Sequence, residues 1–499
     1  MRNEQKTFLV NYSFKLISNL FTVVVGFITT AIVPKTLGAA NYGIFSYITD
    51  ILTKIFVLFD LRSSTYFYIK YSQNTKNLVL LSFYLLYAFT ISLSFILIVI
   101  ILKITSLGHF IFHDISLKII LVGLLYVLSF WFQDILTKLL DATGETKKVE
   151  IFKVIGRISG LVFLLILYFS DKLTLYTYFF YSILVVLVSM IAAYISLKPN
   201  FRSILKFSKF KFTYFLRKQL NYISPLFVYL FFGTIIAIFD RWFLQKEGGS
   251  IQQGYYGFAF LLSNIILIFL TSLIPLYTKE LSIKSDSKVE MKNVFLTYTP
   301  PIFSFVAFIC CFCSIFSRDL ILIFADTEYL NAELTVKIMF IYPLVSTFSN
   351  MSGAIIYTTS RTKIFRNLLL MLGPIHIITL ILLVNQNFGL GLGATGLAIK
   401  QVFLEALGVI IILFLNARYL NFGLLKFILK IAIIIIAFFG ISILIKSIDY
   451  TAFNSIYIDF FLKGFVYSTS CAIFVFFFPK LFGLNKAIIN ALKNRLKIF

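Results

Sequence analysis

Apolar segments of about twenty residues recur along the whole chain, and they constrain its fold more than any other feature. A helix needs about twenty mostly apolar residues to cross the hydrocarbon core of a bilayer. Because 60% of the 499 residues are apolar and only 13% are charged, a water-soluble fold could not cover the apolar surface. The sequence predicts an all-α polytopic membrane protein with about fourteen transmembrane spans. Their predicted bounds are 11–33, 42–59, 78–102, 117–137, 154–170, 173–197, 222–244, 255–278, 294–316, 334–357, 368–384, 394–415, 431–447 and 460–478.

Basic residues give these spans a direction. The net charge of +24 does not indicate nucleic-acid binding, because the Lys and Arg residues are distributed over short segments between spans. With the N-terminus in the cytoplasm, most of the 45 basic residues lie on the cytoplasmic side, as expected for membrane proteins. The predicted outer loops contain only Lys35, Lys103, Lys172, Lys246, Arg318 and Lys446. This bias predicts a multi-pass protein with both termini in the cytoplasm.

Two short motifs occur twice at nearly the same spacing. Residues 42–45 begin with Tyr-Gly and resemble residues 256–260, and residues 143–147 resemble residues 359–363. Matches in equivalent places predict two pseudo-symmetric six-helix lobes that run in the same direction through the membrane, followed by two C-terminal helices. The predicted organisation is an N-lobe 1–197, a basic cytoplasmic connector 198–221, a C-lobe 222–415, a helix pair 416–478 and a basic cytoplasmic tail 479–499.

Several motifs with known chemistry are interpreted as structural. Residues 391–396 fit G-x-G-x-x-G, but they join two apolar spans and no βαβ unit surrounds them. His109 and His113, beside Asp114, have no further convergent metal ligand. The four cysteines are interpreted as small buried hydrophobic residues: Cys310, Cys311, Cys313 and Cys471. The sequence therefore predicts no catalytic residue, no metal site and no bound cofactor.

Charged side chains within the spans are the candidate functional residues. A Lys or Asp at the centre of a membrane helix costs roughly 2.5–3.5 kcal/mol on insertion scales, so it normally faces a partner or an aqueous cavity. A cationic cavity that suits an anionic head group is predicted from Lys15, Lys54, Arg157 and Lys400. The predicted coupling acids or charge partners are Asp50, Glu405, Asp240 and Arg241. Asp50 and Lys54 are one helical turn apart and can pair. In the simpler interpretation, such pairs only neutralise each other and terminal lysines extend to the membrane surface.

Short motifs from the first span to the twelfth carry a family resemblance. They comprise residues 34–38 with 41–43, 141–147, 224–226 with 240–244, 254–257, 329–332, and 388–389 with 393–396. Together they resemble the Wzx-type polysaccharide flippases of the MOP (multidrug, oligosaccharidyl-lipid, polysaccharide) exporter superfamily. Lys35 stands where the family usually has Arg, and Gly248-Gly249 departs from the family spacing.

The resemblance implies a function for the predicted cavity. Such a flippase moves an undecaprenyl-pyrophosphate-linked oligosaccharide across the bacterial cytoplasmic (inner) membrane by alternating access, for the synthesis of O-antigen, capsule or exopolysaccharide. A pyrophosphate is attracted to basic side chains in a low-dielectric cavity, while the two C-terminal helices flank a groove for the polyprenyl tail. The implied partners are this lipid-linked oligosaccharide, the bilayer, a polysaccharide polymerase and a chain-length regulator, with H⁺ or Na⁺ as coupling ion and no nucleic acid.

Two alternative functions stay open. A cation-coupled multidrug exporter of the same superfamily would use Asp50 and Glu405 as its buried coupling acids. A membrane glycosyltransferase or polymerase would use the same carrier lipid, but it usually needs catalytic acids or a large outer loop. The first predicted outer loop, 34–41, contains no acid, and the longest, about 317–333, is short. We therefore expect a transporter and not an enzyme.

Overall fold

The computed structural model describes residues 2–60, 63–75, 77–113, 115–204, 212–448 and 455–483. Throughout these ranges the regular elements are helices, with no strand among them. In chain order they are α1 (Arg2–Asp60), α2 (Ser63–Gln73), α3 (Leu78–Ile104), α4 (Ser106–Phe112), α5 (Leu117–Ala142), α6 (Thr146–Phe169), α7 (Leu175–Ile204), α8 (Phe212–Ile283), α9 (Lys288–Ile315), α10 (Ser317–Phe324), α11 (Glu333–Met339), α12 (Tyr342–Thr358), α13 (Lys363–Val384), α14 (Gly393–Leu420), α15 (Leu424–Lys446) and α16 (Ile456–Phe477). A 3₁₀-helix, Thr327–Ala332, precedes α11.

The helices confirm the predicted polytopic membrane fold. In the described part of the chain, eleven segments are long and apolar enough to cross a bilayer. Two of them, Ile17–Asp60 and Tyr229–Leu270, contain 44 and 42 residues and each is broken once, so each provides two crossings. At a rise of about 1.5 Å per residue, either segment is twice as long as the roughly 30 Å hydrocarbon core requires. With the shorter apolar helix Leu175–Ile191, the described residues provide fourteen crossings.

Single glycines break the two long helices. Gly38 has φ 71° and ψ 169° within α1, and Gly249 has φ 64° and ψ −167° within α8. Residues with a Cβ atom rarely adopt this backbone conformation, so glycine is required at both breaks. The predicted outer loop 34–41 is therefore wrong in detail, because the segment is helical on both sides of Gly38.

The second halves of α1 and α8 pack closely against each other. A Cβ atom added at Gly43 would overlap the carbonyl oxygen of Ser250, and one at Gly257 would overlap Oγ of Ser46. Small residues permit such close helix approach, which drives helix association in membranes through van der Waals contact. The repeated Tyr-Gly dipeptide thus supplies a contact glycine to each of the two helices.

The second repeated motif folds into the same turn in both places. Gly144 ends α5 with φ 84°, and Ser360 ends α12 with φ 55°. The Glu145 N–H donates to the Leu140 carbonyl at 2.9 Å, and the Arg361 N–H donates at 3.0 Å to the carbonyl five residues before it. This backbone pattern satisfies carbonyl groups that a helix end leaves without a partner. Duplication of the entire lobes, with the bounds given above, stays a prediction.

The chain divides into two compact units, Met1–Gly257 and Phe258–Phe499. In the first unit α7 packs against α5 and α6. Gly156 and Gly160 of α6 leave no space for a Cβ atom beside Val185 of α7, so the two helices pack closely at these small residues. In the second unit α14 packs against α12 and α13, and α15 packs against α9.

Candidate functional site

Three charged residues join α1 to α8 in the first unit, and we call them the α1–α8 cluster. They are Asp50, Lys54 and Arg241. Nζ of Lys54 lies 2.5 Å from Oδ2 of Asp50, which confirms the predicted pair, and Nε of Arg241 lies 3.1 Å from the same oxygen. One carboxylate therefore serves two cations, and the cluster carries net positive charge.

Arg241 is the most buried member of this cluster. Its side chain is 6% exposed, compared with 34% for Asp50 and 25% for Lys54. Its Nη2 donates to Oγ of Ser46 at 2.6 Å, and the guanidinium lies 5.0 Å from the centre of the Tyr256 ring. Its Nη1 is buried and has no hydrogen-bond partner within the described ranges. An unsatisfied donor on a buried cation is costly, and an anionic oxygen would satisfy it.

Local helix geometry positions these groups. Ser46, Asp50 and Lys54 follow each other at intervals of four residues, so they lie on one face of α1. On α8, Nε2 of Gln253 donates to the Arg241 carbonyl at 2.5 Å across the break at Gly249. This bond connects the two halves of α8 and fixes the backbone from which the guanidinium extends.

Arg157 of α6 is another basic residue that the sequence predicts for the cationic cavity. It is partly buried, and its Nη1 donates to the Ser18 carbonyl in the first half of α1 at 3.2 Å. Lys54 instead contacts the Ala237 carbonyl of α8 at 3.2 Å. Arg157 therefore contacts the first half of α1, whereas Lys54, in the second half of α1, contacts the first half of α8. Lys15 lies on α1, but its side chain is outside the described residues.

The second unit contains Lys400 and Glu405, both on α14. Lys400 is fully buried and interacts electrostatically with His376 of α13, whereas Glu405 is partly buried and interacts with Tyr342 of α12. Convergence of Lys400 with the basic residues of the first unit on one chamber stays a prediction. Asp240, next to Arg241, is buried as well.

A buried polar group that the sequence analysis missed lies at the end of α1. Oδ1 of Asp60 accepts hydrogen bonds from Ser63 Oγ at 2.5 Å and from Trp131 Nε1 at 3.2 Å. Close by in α5, Lys138 pairs with Asp134 at 2.6 Å. Asp60 falls just beyond a predicted span boundary, so its position along the sequence gave no signal of burial.

The cysteines fit their structural interpretation. Cys310, Cys311 and Cys471 are buried free thiols and Cys313 is partly buried, which confirms that these residues pack as small hydrophobic side chains. The described residues contain no group of three or more metal-ligating side chains in one place. Asp114, which follows His113, is outside the described residues.

Comparison with solved structures assigns the fold. The chain has the fold found in a lipid II flippase and in multidrug transporters of the MATE family. The lipid II flippase MurJ, in an inward closed conformation, matches with a TM-score of 0.68 and 16% sequence identity over 93% of this chain and 98% of MurJ. No protein-family model and no curated protein sequence matches the chain.

The MATE structures match a smaller part of the chain. An inward-facing MATE family transporter of the MOP superfamily has a TM-score of 0.57 and 13% identity, and covers 82% of this chain and 96% of that transporter. The Vibrio cholerae MATE transporter VcmN, as a mutant, has a TM-score of 0.52 and 13% identity, over 84% of this chain and 98% of VcmN. At these identities the comparisons show the fold and leave the substrate open.

Proposed function

We propose that this protein is a flippase that moves a polyprenyl-pyrophosphate-linked oligosaccharide across the bacterial inner membrane by alternating access, for surface polysaccharide synthesis. Its N- and C-termini lie in the cytoplasm, and H⁺ or Na⁺ drives transport. The observation that carries the proposal is the net positive charge of the α1–α8 cluster, and the extent of the MurJ match supports it. The alignment with MurJ covers 93% of this chain, whereas the alignments with the two MATE transporters cover 82% and 84%.

The charge of the α1–α8 cluster supports an anionic substrate. With two cations for one carboxylate, and a free donor on buried Arg241, the cluster favours a phosphate oxygen over a cationic drug. Asp50 is already bonded to both cations, so it is poorly placed to act as the coupling acid that a cation-coupled drug exporter needs. The burial of Arg241 strengthens its attraction for an anion.

Export in cells tests the proposal. In a strain that lacks this protein, the wild-type gene should restore surface glycan, while Lys54→Ala, Arg157→Ala and Lys400→Ala should each restore less. Lys148→Ala is the matched control, because Lys148 also pairs with an acid, Glu145, but at the surface. Normal glycan with all three variants would remove the cationic-cavity mechanism. A strain that keeps its glycan but loses drug resistance would instead favour the multidrug exporter.

A further inference from the structure

A second group of cations surrounds one tyrosine in the second unit, and we call it the Tyr419 cluster. It consists of Arg361, Lys288, Lys292 and Tyr419. The Arg361 guanidinium lies 3.9 Å from the centre of the Tyr419 ring, and Nζ of Lys288 lies 4.6 Å from the same centre. Nζ of Lys292 donates at 2.7 Å to the carbonyl of Asn421, just after the end of α14. Two helices and one turn thus contribute to this cationic group: α9, α14 and the turn that precedes α13.

Neutral groups hold Arg361 in place. Its Nε donates to Oγ1 of Thr359 at 3.0 Å, and its Nη2 donates to Oδ1 of Asn416 at 2.9 Å. Asn416 is fully buried and is itself fixed by a hydrogen bond to the Ser352 carbonyl at 2.9 Å. The guanidinium is therefore oriented before any ligand arrives, and the donors of Nη1 remain for an anion.

No carboxylate of the described residues forms an ion pair with Arg361, Lys288 or Lys292. Lys288 and Lys292 are one turn apart on α9, while Glu290 between them points to another side of the helix. Residues 484–499, which follow the described part of this unit, contain no acid in their sequence. Lys292 is satisfied by the Asn421 carbonyl, but among the described residues the charges of Arg361 and Lys288 have no acidic partner.

The internal repeat shows that the turn itself does not require a cation. Arg361 occupies the position that Glu145 has in the first unit, because both N–H groups make the same helix-ending hydrogen bond. Glu145 pairs with Lys148 at 2.9 Å, so the charged residue at this position of the first turn has a partner of opposite charge. The same backbone geometry therefore forms with an acid or with a base, and the basic character of the second turn needs another explanation.

We propose that Arg361 and Lys288 bind a phosphate group at this end of the second unit. Arginine presents several N–H donors in a planar fork that matches phosphate oxygens, and a nearby lysine adds a second positive charge. The phosphate belongs either to an anionic phospholipid of the surrounding leaflet or to a soluble pyrophosphate-like group. Anionic headgroups are attracted by about 1 kcal/mol for each basic residue near the membrane surface. This inference is independent of the proposed flippase function.

Native mass spectrometry of the full-length protein in neutral detergent tests the site. Phosphatidylglycerol should bind the wild type more tightly than phosphatidylcholine does, and Arg361→Gln should weaken phosphatidylglycerol binding by about tenfold, as expected for one lost charge-assisted hydrogen bond. Lys363→Gln is the matched control. Lys363 lies two residues after Arg361 and is exposed, so this substitution removes one positive charge outside the proposed site. This control should bind phosphatidylglycerol as the wild type does.

A second arm identifies the source of the phosphate. Excess inorganic pyrophosphate is added to the complex with phosphatidylglycerol. Displacement of the lipid indicates a site for a soluble phosphorylated group, whereas lack of displacement indicates a site for bilayer lipid. Either result supports the proposal. If Arg361→Gln unfolds the protein, Lys288→Gln decides instead, since Lys288 is exposed and its loss should weaken phosphatidylglycerol binding about threefold. Equal loss with Lys363→Gln, or equal binding of the two phospholipids, overturns the proposal.

Discussion

At the scale of single residues, Arg241 is the side chain on which the candidate site depends. It is buried between α1 and the second half of α8, and it pairs with Asp50, an acid that it shares with Lys54. Breaking a buried ion pair by removing one member leaves an uncompensated charge, which is more costly than the pair is stabilising. Asp50 should therefore contribute to stability as well as to the electrostatics of the site.

The first prediction concerns Asp50. Asp50→Asn should lower the free energy of unfolding by about 2 kcal/mol, because two cations lose their charged acceptor. Thermal unfolding of the detergent-purified protein measures this loss. Asp134→Asn is the control, since Asp134 pairs with Lys138 alone among the described residues and is 41% exposed, and such a pair contributes about 1 kcal/mol or less. Equal losses in the two variants would contradict a shared role for Asp50.

A pH effect is expected at Asp319, on the short helix α10. Burial raises the pKa of Asp319 above its ordinary value, although Lys463 nearby opposes the shift. The folded state then holds the Asp319 proton more tightly than the unfolded state does. Protonation of Asp319 therefore stabilises the folded protein at low pH, and this contribution is lost as the pH rises through the folded pKa. Asp319→Asn should therefore be more stable than wild type at about pH 7 but not at about pH 4. The same difference in melting temperature at both pH values would contradict this.

Sequence alone identified some of these residues for a physical reason. The cost of burying a charge in lipid marked Lys54 and Asp50, and their four-residue spacing predicted that they pair. That spacing carried no information on Arg241, which approaches from a helix 191 positions along the chain. The Tyr419 ring between Arg361 and Lys288 is likewise a tertiary contact, which no local pattern indicates.

At the scale of elements, the two glycine breaks explain how each long helix crosses the membrane twice. Apolar length predicted the crossings correctly, because the bilayer fixes the number of residues that a span requires. The connections between the spans were less predictable. A loop and a helix with one glycine break occupy the same number of residues and differ mainly in the conformation of Gly38 or Gly249.

Substitution of a break glycine tests this reading of the helices. Gly38→Ala should destabilise the protein by about 1–3 kcal/mol, since alanine is strained in that backbone conformation. Gly26→Ala, in the same helix, is the control: Gly26 has open space around its Cβ position, and alanine there should be neutral or stabilising by up to about 1 kcal/mol. Melting temperatures of both variants provide the measurement, and an unchanged Gly38→Ala protein would contradict a break that requires glycine.

At the scale of the whole molecule, the fold and the charge pattern make different contributions to the functional conclusion. The fold is shared by a flippase and by drug transporters, so it does not choose between their substrates. The choice comes from the α1–α8 cluster, whose excess positive charge favours an anionic head group. Sequence motifs predicted the fold that this chain shares with the MurJ and MATE structures, and the bilayer restricts membrane-spanning chains to few architectures.

Leaflet exchange of a labelled carrier lipid is the most direct measurement of the central claim. Proteoliposomes with the purified protein would contain a fluorescent polyprenyl-pyrophosphoryl oligosaccharide, and a membrane-impermeant quencher would report the fraction in the outer leaflet. We expect rapid exchange with the wild type and about tenfold slower exchange with Arg241→Gln, as for one lost charge-assisted hydrogen bond in the transport step. Lys148→Gln should exchange the lipid at the wild-type rate. Wild-type exchange no faster than in protein-free liposomes under an imposed H⁺ or Na⁺ gradient would contradict the claim.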